Sequence, residues 1–186
     1  MGLDQLDQPG TASAASRERL DEALGRLDLL EAIEAREVLE GSLVRLAADR
    51  RTEWDLVRVV RAVRRMRESI DDRRAFIEAD LELHIALSEA AGNGLLAGRL
   101  IALHDHVKEM IALFTDTAFR EGSVPELVVA HENLAGAVCR RDADQAHRIM
   151  TEMMARLRDE AAGVLSAQSR PSTVGESAVQ SKGEHA

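Results

Sequence analysis

Asp80 and His84, in the run Asp80-Leu-Glu-Leu-His84, put a carboxylate and an imidazole one helical turn apart. These two group types ligate divalent metals and orient small acids. At about 100° per residue they fall on the stripe of Ile77, Leu81, Ser88 and Ala91, where core residues belong. An ionised side chain on an apolar face costs several kcal/mol unless it is partnered. The sequence therefore has to supply partners on other helices, and it offers Arg36, Glu40 and His131.

Arg36 and Glu40 stand mid-stripe between Ile33 and Leu43 on a helix that also aligns Leu29 and Ala47. Their i, i+4 spacing allows a mutual ion pair that holds helices in register. It equally allows Arg36 to present its planar fork to a ligand carboxylate. His131 lies among Leu127, Leu134, Ala135 and Val138. Alone it reads as a hydrogen-bonded core histidine; beside Asp80 and His84 it completes a two-histidine, one-carboxylate set with positions left open. Asp80, His84 and His131 are thus the candidate metal ligands, and Arg36, Glu40, Asn93 and His104 the candidate ligand-binding residues. His104 stands on one flank of its helix stripe, while His106 and His147 read as surface residues.

The elements that must position these groups are helical. Tyrosine is absent, aromatics make up 2% of the 186 residues, and no stretch reads as a strand. Six or seven helices are predicted: a lead-in Arg17–Leu24, then Leu27–Asp49, Glu53–Ile70, Arg73–Ala91, Leu95–Phe119, Pro125–Cys139 and Ala143–Leu165. Thr52 with Asp55 forms an N-terminal cap, Gly92-Asn93-Gly94 a helix stop, and Pro125 suits a first turn. The helix Leu95–Phe119 turns Leu96, Leu100, Leu103, Val107, Met110 and Phe114 to one side. Short links between long amphipathic helices imply an all-α antiparallel bundle around a central ligand pocket. Residues 1–16 are small and polar and read as a flexible tail, 17–167 as one helical domain, and 168–186 as a disordered tail.

The net charge of −9 opposes a surface built mainly for nucleic acid. The densest basic cluster, Arg50, Arg51, Arg58, Arg61, Arg64, Arg65 and Arg67, is interleaved with Asp and Glu and reads as a solvated helix face. The single thiol, Cys139, lies on an apolar stripe and excludes an internal disulfide. No apolar run spans a membrane and no signal peptide is evident, so a cytoplasmic location without membrane partners is expected. No phosphate-binding glycine loop, inward serine with a base, or paired-cysteine motif occurs.

Three ordered segments resemble the effector-binding C-terminal (FCD) domain of FadR-subfamily, GntR-type bacterial transcription regulators. They are Glu34-Ala-Arg-Glu-Val-Leu-Glu40 with Leu46-Ala-Ala48; Asp80-Leu-Glu-Leu-His-Ile-Ala-Leu-Ser-Glu-Ala-Ala-Gly-Asn93; and His131-Glu-Asn-Leu-Ala-Gly-Ala-Val with Arg141-Asp-Ala-Asp-Gln-Ala146. The resemblance covers about Leu27 to Leu165. It implies a helical bundle whose pocket takes a small organic acid, with one divalent metal, zinc, nickel or manganese, held by one Asp and three His. Asp80, His84 and His131 fall at the first three of those positions, and Arg36 at one that faces the effector. The fourth falls at Met153, whose thioether is a poor ligand for these metals.

The family pattern also places a winged helix-turn-helix before this domain, and only a short polar lead stands here. A freestanding sensor, a misplaced start and a fragment all remain open, and DNA is a partner only if that module is supplied. The expected function is thus a sensing and homodimerising domain, not an enzyme. A helical metalloenzyme using the same facial set is the alternative, although no inward general base is in view. A helical adaptor is a further one, and it would leave Asp80, His84 and His131 scattered.

Overall fold

Caps and breakers divide the chain where the sequence patterns change. The computed structural model describes residues 29–168. In it run α1 (Leu29–Arg50), α2 (Glu53–Glu68), α3 (Arg73–Ala90), α4 (Gly94–Glu121), α5 (Val124–Cys139) and α6 (Ala143–Gln168). No strand occurs among the described residues. The predicted tails, beyond Gln168 at the C-terminal end, and the lead-in Arg17–Leu24 lie outside the described residues, as do the side chains of Leu29, His106, Val107, Met110 and Phe114.

The starts of α2 to α6 have local chemical causes. Thr52 and Asp55 form a reciprocal capping box on α2, and Asp72 accepts from the Ala75 N–H to open α3. Pro125 occupies the first turn of α5, where its missing N–H is no loss. The Gln145 N–H donates to Asp142 Oδ1 at 2.9 Å to start α6. Gly92 and Gly122 follow α3 and α4 with φ of 64° and 73°, the left-handed geometry that glycine enters freely. Asn93 is engaged by the local backbone. Its carboxamide oxygen accepts from the Leu96 N–H as the N-cap of α4, which corrects its assignment as a binding residue.

The central helix is α1, which touches α3, α4, α5 and α6 and packs most extensively on α6. That close approach depends on Gly41: a Cβ there would stand 3.1 Å from the His147 ring. His147 Nδ1–H donates to the Gly41 carbonyl at 3.0 Å, so the ring is half-buried between helices and not the surface residue its position suggested. The centre of the core is made of Ile33, Leu43, Val44, Leu83, Leu87, Leu100, Leu134 and Met150. On α3 the predicted stripe is buried at His84 and Ser88, with Ala91 just past the helix, but the buried face also takes in Phe76, Ala79, Leu83 and Leu87, while Ile77 and Leu81 are only half-buried. The reason is that α3 packs against α1, α2 and α4 and is covered on more than one side.

The basic face of α2 behaves largely as expected. Arg58 pairs with Glu89, Arg61 and Arg65 with Glu82, Arg64 with Glu68, and Arg67 with Glu132, all at the surface. Arg51 departs from that pattern, being buried and donating to the Cys139 carbonyl at 2.7 Å. Arg141 completes the same junction. Its guanidinium donates to the carbonyls of Asp49 at 2.7 Å, Arg51 at 3.0 Å and Ala48 at 3.4 Å, groups the end of α1 leaves without helical partners. Arg141 holds a left-handed φ of 58°, a strained value for a side chain, and these contacts offset the strain. Arg141→Ala keeps the strain and loses the donors, so it should lower unfolding free energy by about 1–3 kcal/mol. Urea denaturation followed by circular dichroism measures the difference, and an unchanged midpoint would refute the clamp.

Candidate functional site

Asp80, His84 and His131 converge. His131 Nε2 stands 3.0 Å and His84 Nε2 3.7 Å from Asp80 Oδ1, and one donor atom from each residue lies within 4.8 Å of the others. The two imidazoles cross edge to face with centroids 5.5 Å apart. Helical spacing brings Asp80 and His84 together; only the packing of α5 against its neighbours brings His131 to them. This convergence removes the adaptor expectation of scattered residues.

The other ring nitrogens are committed behind the site. His131 Nδ1–H donates to the Leu127 carbonyl at 2.7 Å, and His84 Nδ1 stands 2.5 Å from Glu40 Oε2. Neutral rings held this way turn their Nε2 lone pairs toward the Asp80 carboxylate, so acceptors confront acceptors. A cation between them, a proton or a metal ion, resolves that conflict.

Glu40 is 1% exposed and organises the layer behind His84. Its Oε1 accepts from Arg36 Nε–H at 2.7 Å and from His104 Nε2–H at 3.2 Å, while Oε2 faces His84. Glu40 and His104 therefore do not line the cavity, which corrects their assignment as direct ligand contacts. His104, predicted on a stripe flank, is 2% exposed because α4 is covered by α1 as well as by α3. Arg36 is 3% exposed and does line the cavity. Among the described residues its guanidinium makes one hydrogen bond, through Nε, and this leaves the terminal NH2 groups for a guest.

The cavity, ≈ 120 Å³, opens against Arg36, Asp80, His84 and His131. Its size suits a molecule of a few carbon atoms, since one water needs only about 10–15 Å³ by the same measure. Phe76, Ala118, Leu127, Met154 and Leu157 supply its apolar wall, and Thr115, Thr117 and Ser123 hydroxyls. Toward solvent stand Arg156, Glu121 and Glu160. Met153 is part of the lining, so a thioether faces the site where the family resemblance implied a further histidine. Of these additional lining residues the sequence marked Leu127, on the His131 stripe, and Met153, through the family resemblance; Thr115, Thr117, Ser123 and Met154 carried no signal, because helix crossing and not periodicity brings them to the cavity.

Electrostatics follow from this placement. Burial alone would raise the Asp80 pKa, but the His131 hydrogen bond and the positive charge of His84, His131 and Arg36 prevail and hold it at about 2. Burial likewise opposes ionisation of Glu40, and Arg36, His84 and His104 overcome it and keep Glu40 well below the usual range. For His84 burial is outweighed by Glu40 and Asp80, and its pKa is raised; for His104 burial wins and the pKa is lowered. Cys139 is half-buried and burial pushes its thiol up, the character of an inert cysteine.

Opposite limbs follow for metal-free protein. The raised His84 value adds stability that is complete below its unfolded pKa of about 6.5 and fades as pH rises through the folded value. The lowered His104 value removes stability as pH falls below about 6.5, and the two depressed carboxylates remove more as pH falls below about 4. Stability in a chelator should therefore peak near pH 6.5. Urea midpoints across pH test this, with His84→Gln expected to flatten the alkaline limb; stability that keeps climbing above neutrality would contradict it.

Comparison with known proteins places this geometry in a family. The FCD domain family matches residues 31–156. The regulator LutR of Bacillus subtilis is 28% identical over 171 residues, covering 87% of this chain and 71% of LutR. The galactonate operon transcriptional repressor of Escherichia coli is 31% identical over 123 residues, 66% of this chain and 52% of the repressor. The repressor NanR of Cronobacter sakazakii is 31% identical over 120 residues, 60% of this chain and 42% of NanR. The chain thus spans about half, or less, of the length of the latter two. Among solved structures, E. coli McbR/YncC superposes with a TM-score of 0.61 at 16% identity, covering 83% of this chain and 67% of that one, a likeness of fold. The sequence relatives are transcription regulators and not enzymes, which leaves the metalloenzyme alternative without support. With a family match across the cavity-forming helices and regulators among its relatives, the chain belongs to the FCD domain family, the effector-sensing domain of GntR-type transcription regulators.

Proposed function

We propose that this domain senses a small organic acid in the cavity, through Arg36 and a divalent metal held by Asp80, His84 and His131. The observation that carries the reading is the orientation of the two histidines: His131 Nδ1–H donates to the Leu127 carbonyl, His84 Nδ1 stands 2.5 Å from Glu40 Oε2, and both rings aim Nε2 at one carboxylate oxygen. Donors bound at about 2.1 Å in a tetrahedron stand about 3.4 Å apart. The separations of 3.0 and 3.7 Å bracket that distance. Two imidazole nitrogens and a carboxylate oxygen suit zinc, nickel or manganese. When bound, such an ion supplies a positive centre for acid oxygens.

The chain's own groups do the rest. Arg36 offers two parallel N–H donors to a carboxylate, Phe76 and Leu157 exclude water from its hydrocarbon part, and the Thr115 and Thr117 side chains border it. Met153 adds bulk but little affinity for a hard cation, so the protein supplies three ligands and leaves the remaining positions to the acid. In a complete regulator, an acid preferring one arrangement of the helices would shift the placement of paired DNA-reading domains in a homodimer.

Elemental analysis of purified protein should find close to one zinc, nickel or manganese per chain, and Asp80→Asn should lose it. Native mass spectrometry and thermal-shift screening of small carboxylates identify the acid. Arg36→Ala should then weaken its binding tenfold or more in calorimetry, and Arg36→Lys should recover only part of it, because an ammonium lacks the fork. Full affinity in Arg36→Ala, with the helical signal intact, would refute the assigned contact. Sedimentation analysis tests the homodimer.

A further inference from the structure

Glu40 is not among the residues that line the cavity, yet three side chains converge on its buried carboxylate. Its two oxygens are divided. Oε1 takes Arg36 and His104, leaving Oε2 for His84 Nδ1 alone. The three partners come from three helices: Arg36 shares α1 with Glu40, His84 is on α3, and His104 on α4. The His104 ring also packs edge to face on the His84 ring, with centroids 5.7 Å apart, and limits its tilt. An imidazole placed between a carboxylate on one nitrogen and a ring on its edge has little freedom left.

We propose that Glu40 is a positioning residue for cation binding: it holds His84 with Nδ1 protonated and Nε2 turned into the cavity, while Arg36 and His104 fix the Glu40 carboxylate. This rests on the reading of Asp80, His84 and His131 as a metal site. A carboxylate is required at this position, and not just a polar group of the same shape. A carboxamide can accept at one atom only, so the side chain introduced by Glu40→Gln could satisfy Arg36 and His104 or His84, but not all three. If its NH2 group faces His84, donor meets donor, and the ring must flip or present the wrong nitrogen to the cavity. The carboxylate also makes the imidazole a more basic ligand, an effect a neutral amide lacks. Arg36 has two tasks in this arrangement. It neutralises a charge that would otherwise be too costly to bury, and its unused donors face the guest.

The test is calorimetric titration of chelator-treated full chain with Zn2+ alone, on wild type, Asp80→Asn, Glu40→Gln and His104→Gln. Wild type should bind saturably and Asp80→Asn should not. Glu40→Gln should bind about 10–100-fold more weakly, as expected for loss of a group orienting a ligating histidine, with His104→Gln intermediate. If wild type binds no Zn2+, or Asp80→Asn binds like wild type, the metal reading fails and this inference with it. If those two behave as expected but Glu40→Gln stays within about threefold of wild type, well short of the loss expected for an orienting group, the metal reading stands and the role of Glu40 is overturned.

Glu40→Gln sits in a buried ion cluster and can fail to fold, so a measurement on wild type decides independently. Long-range 1H–15N correlation spectra of chelator-treated protein, at a pH where His84 is neutral, should show Nδ1 protonated and Nε2 bare, and added Zn2+ should then shift Nε2. The opposite pattern, Nε2 protonated or Nδ1 on the metal, overturns the proposal whatever the variant does. A merely structural role for Glu40 predicts no fixed His84 tautomer before metal is added.

Discussion

An ionised carboxylate at 1% exposure has exchanged water for whatever the protein places around it, and at Glu40 that is a guanidinium and two imidazoles. Stripping a carboxylate of water costs several kcal/mol even after relaxation. The return comes only if the donors arrive at the right distances. Those donors are spread over α1, α3 and α4, so satisfying Glu40 constrains how the three helices cross. Aliphatic packing alone tolerates small rotations of a helix about its axis. A buried charge with three assigned partners does not, because each lost contact leaves an unpaired group in a dry interior.

From that constraint the cavity follows. Once His84 is pinned from behind, its free nitrogen faces Asp80, and His131, pinned by the Leu127 carbonyl, approaches the same oxygen from α5. The polar layer behind the wall is engaged around Glu40, whereas the layer in front keeps unspent capacity in the Arg36 NH2 groups and the Nε2 lone pairs. In the function proposed above, that asymmetry would serve an anionic guest and a cation together. The acids toward solvent, Glu121 and Glu160, are accompanied by Arg156, and burial with the nearby Glu121 charge raises Glu160. The inner wall is therefore the more electropositive end of the cavity.

The periphery is held by different means. Surface ion pairs along α2 contribute little each, as expected for exposed charges. The junction of α1, α2 and α5 is tied more firmly, by guanidinium groups of Arg51 and Arg141 on helix-end carbonyls. These clamps settle where α1 stops, and so the reach of the helix that carries Arg36 and Glu40.

Local information in the chain determined the helices, their capped starts and the inward positions of Arg36, Glu40, Asp80, His84 and His131. Each of those is a matter of spacing within one helix, where 3.6 residues per turn make facing computable from neighbours alone. Metal-type convergence was legible for the same reason, since a polar residue in an apolar stripe requires partners. Tertiary structure decided what spacing leaves open. His104 turned inward because a second helix covers its flank, Glu40 withdrew behind His84 because three donors surround it, and Asn93 spent itself on a cap. Thr115, Ser123 and Met154 became cavity wall through the angles at which helices cross. Those angles are set by side chains distant in sequence meeting across the bundle, and no single helix encodes them.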